Sequence, residues 1–330
     1  MRRYFFIFSS IVTVLMISGI FPSAVSAQLR NTDGEETGMM GAPRVFMLDA
    51  RSVAMGDATI ADYTDLTTMN LNPATLSFVR NPGSVYLNTS QMMGNNLLTG
   101  KTSFPVYSGT THRVAGQVGF HYPGTYQNDW LYDQLNITQL PEPEMELYQV
   151  DIAYAWSYEN IVSIGLMNNL SYTGSDGQDH WAYSPAVGVV YVPSPSISYG
   201  IVFRGPGTAI TYQINEDGNT ELSDEWLRNS LEIGASFLYP VDTDETYLAL
   251  SLSNEKRFGE SGLRYKGGIE AYVTPYIALR TGIIFQSDQA LYTPRFGFGI
   301  GENNFRFDYA LSYKNQFNEH FHQVGLSYRF

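Results

Sequence analysis

The chain has 330 residues, 19 Lys and Arg against 32 Asp and Glu, a net charge of −13 and no cysteine. Such an acidic surface is a poor partner for nucleic acid. Without cysteine, neither a disulfide framework, a lipid-modified cysteine anchor nor a thiolate metal site can form.

The first 27 residues have the parts of a secretory leader. Arg2 and Arg3 precede an apolar run from Tyr4 to Phe21, and Val25-Ser26-Ala27 supplies small residues for cleavage, expected after Ala27. An uncleaved anchor is the rival reading, weakened by Gly19 and Pro22 within or just beyond the run. Removing the leader takes Arg2 and Arg3 with it and moves the net charge from −13 to −15. Beyond residue 27 no stretch approaches ~18 uninterrupted apolar residues, so any membrane crossing there must use strands.

Residues 28 to 83 show no period of two and are expected to form a compact plug of short helices and turns. Asn72 followed by Pro73 predicts a helix start, because Asn caps free amides and Pro at the first helical position forfeits no hydrogen bond. Gly56 is expected where no side chain fits.

From residue 84 onward the pattern changes to alternation over segments of about ten residues, as a wall with one face in lipid and the other on a polar lumen requires. In 148–158, Tyr148, Val150, Ile152, Tyr154, Trp156 and Tyr158 alternate with Gln149, Asp151, Ala153, Ala155 and Ser157. In 305–314, Phe305, Phe307, Tyr309, Leu311 and Tyr313 alternate with Arg306, Asp308, Ala310, Ser312 and Lys314. Fourteen strands are predicted, spanning 84–330. Tight turns at Glu159-Asn160, Pro193–Pro195, Thr274-Pro275 and Gly301-Glu302 fall on one side, and long loops at 123–147 and 206–227 on the other. That asymmetry predicts an all-β, antiparallel transmembrane β-barrel of about fourteen strands, with short periplasmic turns and both termini in the periplasm. A soluble β-sandwich also alternates but accounts for neither the one-sided loops nor the terminal aromatics Tyr328 and Phe330. These two residues are the expected assembly signal, read by the outer-membrane assembly machinery, and the localisation expected is the outer membrane, in contact with its lipid.

The stretches Asp49-Ala50-Arg51-Ser52-Val53-Ala54-Met55-Gly56-Asp57-Ala58 and Leu71-Asn72-Pro73-Ala74-Thr75-Leu76-Ser77-Phe78 resemble the PorV/PorQ family of outer-membrane proteins, within the wider FadL-like barrels. The resemblance implies a fourteen-stranded barrel with an N-terminal, periplasmic-side hatch. Its candidate hatch or gating residues are Asp49, Arg51, Met55, Gly56, Asp57, Asn72, Pro73 and Ala74. It implies a non-enzymatic role as carrier or docking component of type IX protein secretion, with secretion subunits or secreted proteins as partners. The alternative is FadL-like passage of hydrophobic small molecules of the fatty-acid class.

Other chemistry is sparse. Inward positions collect Asp151, Arg204, Glu232, Lys266, Glu270, Arg280, Arg295, Arg306, Asp308 and Lys314, a mixture of signs that predicts a salt-bridged lumen more than a selective ion path. The loops 123–147 and 206–227 are acidic but lack EF-hand spacing. Tyr126, Trp130 and Tyr132 are a candidate partner-contact loop, with packing on the rim as the simpler reading. His112, His121, His180, His320 and His322 fit no catalytic or metal motif, so no enzyme, cofactor or metal is expected.

Overall fold

The computed structural model describes residues 49–63, 66–79, 84–92, 95–109, 111–124, 145–175, 178–214, 220–227, 229–240, 247–288, 291–302, 304–314 and 319–329. The leader, loop residues Tyr126, Trp130 and Tyr132, and Phe330 lie outside them. Among the described residues, one short helix, α1 (Ala50–Ala54), and two 3-10 turns, η1 (Leu66–Asn70) and η2 (Pro73–Ser77), precede sixteen strands. The strands are β1 (Ser84–Met92), β2 (Asn95–Ser108), β3 (His112–Gly124), β4 (Met145–Tyr158), β5 (Val162–Ser175), β6 (Gln178–Ser194), β7 (Ile197–Arg204), β8 (Gly207–Ile214), β9 (Thr220–Leu227), β10 (Ser230–Pro240), β11 (Tyr247–Arg257), β12 (Arg264–Thr274), β13 (Ile277–Gln286), β14 (Leu291–Glu302), β15 (Phe305–Lys314) and β16 (Glu319–Arg329).

All pairings are antiparallel, and they return on themselves. β1 pairs with β2 on one edge and β16 on the other, β5 with β6, β6 with β7, and β7 with β10. Fourteen strands, β1–β7 and β10–β16, therefore make a ring without a free edge, which is the arrangement that satisfies every backbone group inside a bilayer and that a sandwich does not have.

The extra two strands correct one expectation. The stretch 206–227 is not simply a long loop: β8 and β9 form a hairpin within it. β6 is 17 residues long, and β7 ends at Arg204 opposite Ala186. Beyond that point β8 takes over the same edge, pairing Thr208–Gln213 with Gln178–Tyr183 and supplying the hydrogen bonds β7 no longer offers.

Alternation is realised as predicted. Tyr148, Val150, Ile152 and Tyr154 are exposed on the outer surface while Gln149, Asp151, Ala153 and Ala155 are buried in the lumen. The outer face carries exposed Leu166, Leu170, Val187, Ile201, Leu279, Ile283 and Phe296 among many others, far more contiguous apolar area than a water-soluble monomer tolerates. The turn after β4 is tight because Glu159 and Asn160 both take positive φ, 51° and 54°, and Ile161 N–H donates to Tyr158 O, the geometry that suits a hairpin's twist.

Candidate functional site

The lumen is not empty: the described residues 49–63 and 66–79 lie inside the ring, and nearly all those whose burial is described are buried. α1 begins where Asp49 accepts Ser52 N–H at 2.7 Å and the Ser52 hydroxyl at 3.0 Å, a side-chain cap on an otherwise very short helix. The chain then reverses at Gly56 and Asp57, both with positive φ, 67° and 56°. At Gly56 the expectation of a site without room holds, since a Cβ would stand 2.7 Å from Gly267 O and 2.9 Å from Ile283 O on the wall.

Asn72 caps η2, its Oδ1 accepting Ala74 N–H at 3.1 Å, and Pro73 sits at the first position of that turn. The same side chain holds two further partners: Nδ2 donates to Ile60 O at 3.0 Å and to Val189 O on β6 at 3.3 Å. One buried amide thus ties η2 to the preceding chain and to the wall. Ser77 meets Ser163 at 2.8 Å, Arg113 donates to the carbonyls of Leu76 and Val79, and Ser198 donates to Ala61 O at 2.6 Å. Tyr63 donates to Pro195 O at 3.2 Å; burial, aided by the neighbouring Asp62, pushes its phenol above the ordinary value and keeps it a donor.

The wall makes room by omitting side chains. Three pairs of glycines face each other across neighbouring strands: Gly165 and Gly188, Gly200 and Gly234, Gly268 and Gly282. Each pair abuts a different piece of the lumenal segment, namely Asn72–Ala74, Ile60–Ala61 and Ala54–Gly56. A Cβ at Gly200 would lie 2.7 Å from Ile60 O, and one at Gly282 2.6 Å from Ala54 O.

Charge fixes the α1 half. Arg51 is bidentate on Glu270, Nε and Nη2 each donating at 2.9 Å, while Nη2 also reaches Asp62 at 2.6 Å. Side-chain exposure is 3% for Arg51 and 0% for Glu270. The network continues from Glu270 to Arg280 at 2.6 Å, to Asp308 at 2.8 Å and to Arg306 at 2.9 Å. Arg295 of β14 pairs with Asp57 at 2.7 Å and donates to Val53 O. A second network joins Glu232 to Arg204 at 2.9 Å and Lys266 at 3.0 Å, and Lys266 to Glu255 at 2.8 Å; Arg204 also donates to Leu71 O at 2.6 Å. Buried charges are costly unless paired, and each of these has an ion-pair partner. Among the described residues the η1 and η2 half has no ion pair of its own; beside the carbonyl contacts of Arg113 and Arg204 it rests on apolar packing, with Met69, Leu71, Leu76 and Val79 against Ala115, Ala153, Ala155, Met167 and Ala186.

Asp49, Arg51, Met55, Gly56, Asp57, Asn72, Pro73 and Ala74 are all in the lumenal segment, and seven of these touch or brace the wall directly. Asp49 acts within α1, and Pro73 and Ala74 meet Gly165 and Gly188. Tyr328 is exposed on the outer face of β16, half of its surface open. Of the inward charges read from the sequence, Asp151 accepts from Gln149 and Asn169 on its own side of the barrel, and the side chain of Lys314 lies outside the description. Sequence reading missed Asp62, Ile60 and the glycine pairs. Glycines at inward positions of neighbouring strands were the available signal, but their pairing needs the register. His112 and His322 stand on the outer face against Tyr154 and Tyr309, at 2.7 and 2.8 Å.

A closed antiparallel ring with an N-terminal segment folded into its lumen is an outer-membrane-type barrel of the FadL-like fold. Among solved structures it is similar to the Pseudomonas putida toluene transporter TodX, with a TM-score of 0.56 and 11% identity over 85% of this chain and 97% of that one. It is likewise similar to the Ralstonia pickettii toluene transporter TbuX, with a TM-score of 0.57 and 13% identity over 86% and 98%. At such identities the likeness is one of fold. The chain matches no protein-family model and no curated protein sequence.

Proposed function

We propose that this chain is a non-enzymatic outer-membrane protein that passes small hydrophobic molecules across its barrel, with residues 28–83 as the hatch that controls the path. The observation carrying this reading is the lumenal segment itself: it is held at one half by buried ion pairs and at the other by apolar and amide contacts. A hydrophilic pore has no use for such a block, and the mixed charges around it form no ring of one sign. The fold shared with proteins described as toluene transporters supports the same class. The docking role in type IX secretion rests on the resemblance at Asp49–Ala58 and Leu71–Phe78.

The test is uptake of radiolabelled oleate and toluene by Gram-negative cells that lack their own hydrophobic channel and express this chain. Uptake above the empty-vector rate supports passage. Background uptake, together with secretion subunits or sorting-domain proteins co-purifying from native membranes, refutes it in favour of docking.

A further inference from the structure

The outer surface of the barrel carries a feature that a plain lipid-facing wall does not need. On β4, β5 and β6, Tyr148, Val150, Leu170, Tyr172 and Trp181 line an open groove of about 380 Å³ on the barrel's outer face. Its rim is aromatic: Tyr172 packs on Tyr148 and on Trp181, with ring centroids 6.2 and 5.0 Å apart. Register places Leu170 between Val150 and Tyr183, and one pleat further Asn168 between Ile152 and Pro185. Asn168 points outward and is exposed, among exposed Ile152, Leu166 and Leu170. The Tyr183 hydroxyl donates to its Oδ1 at 2.6 Å. Among the described residues its Nδ2 meets no acceptor.

Asn168 is the seventh of the 14 residues of β5, Val162–Ser175, so it stands at the middle of a strand that crosses the bilayer at a tilt. At that depth hydrocarbon offers no acceptor, and a polar group facing it is expensive enough to mark a site. Phospholipid ester groups stay at the hydrocarbon boundary and do not reach it. The occupant must therefore carry an acceptor oxygen inside an apolar body.

We propose that the groove on β4–β6 binds an apolar small molecule bearing one carbonyl oxygen, a medium-chain ketone or ester. Its body fills the space between Tyr148, Leu170 and Trp181, and its oxygen accepts from Asn168 Nδ2. The site is on the wall's outside, so it stands independently of passage through the lumen.

The probe is tritiated 2-undecanone, added to the full-length protein in phosphatidylcholine nanodiscs, with Trp181 emission read in parallel in a variant whose other tryptophans are Phe. The expected result is saturable one-site binding that shifts Trp181 emission, with undecane competing at least tenfold more weakly. Asn168→Leu should weaken binding at least tenfold while heat-modifiability stays that of the wild type, and Asn168→Gln should restore part of it. Non-saturable uptake equal to that of empty nanodiscs overturns the proposal, as does equal competition by undecane. Loss of the site through self-association of two copies on this face, seen by cross-linking from position 152, overturns it too.

Discussion

Replacing Arg51 by Met removes the guanidinium that joins α1 to the wall and keeps roughly the side chain's length and apolar stem. Three charge-assisted contacts go, two to Glu270 and one to Asp62. Glu270 keeps Arg280 at 2.6 Å, so the wall's own network survives and the damage falls on the tie between segment and wall. Breaking one side of a buried pair costs about 3–5 kcal/mol. At ~1.4 kcal/mol per tenfold, the population with α1 detached rises by about a hundredfold to a few thousandfold. Amide hydrogen exchange at Ala50–Ala54 reads this local opening, and heat-modifiability reads the wall. Exchange there should speed up by about that factor, with the wall transition nearly unmoved. Arg51→Lys should fall between, because an ammonium keeps the charge but cannot reproduce the two-pronged contact. Exchange within about twofold of the wild type would refute the view that Arg51 latches the segment.

Other substitutions test neighbouring contacts. Gly282→Val should displace α1 and expose Ala54–Gly56 to limited proteolysis, since the new side chain meets Ala54 O and Gly56 N while valine itself suits a strand. Asn72→Ala removes three hydrogen bonds and should cost about 1–3 kcal/mol, seen as faster exchange in η2 and not in α1. Deleting residues 28–78 should raise single-channel conductance in planar bilayers, and unchanged conductance would deny the segment a blocking role. Deleting Phe330 should lower the yield of heat-modifiable barrel in the outer membrane, and a normal yield would remove its assembly role.

The wall was legible because a lipid-facing strand must repeat every two residues. Tyr148–Tyr158 and Phe305–Lys314 show that repeat without interruption, and β1 begins at Ser84 where the pattern was seen to start. The β8–β9 hairpin was not legible. Thr208–Ile214 and Thr220–Leu227 are separated from their neighbours by Gly205-Pro206 and flanked by acidic residues, so local composition reads as loop. What makes them strands is the unpaired edge of β6, a demand set by tertiary structure. In the lumenal segment two local signals were readable, namely the Asn72 cap and the crowded Gly56; the Asp49 cap was not read. The link from Arg51 to Glu270 spans 219 positions, and nothing in either neighbourhood names the other. The mixed inward charges did announce that partners existed.

The three glycine pairs have a consequence for the wall as well as for what it encloses. A glycine in a strand gives its cross-strand neighbour nothing to pack on and is less favourable than alanine by about 0.5–1 kcal/mol, so six of them weaken the ring by roughly 3–6 kcal/mol. In the intact protein Ala54–Gly56, Ile60–Ala61 and Asn72–Ala74 occupy those rows, mostly with backbone and at Gly188 with the Asn72 amide. The segment therefore serves as a keystone: lifted away, it leaves three soft creases running across neighbouring strands. A displacement of the segment is therefore coupled to bending of the wall.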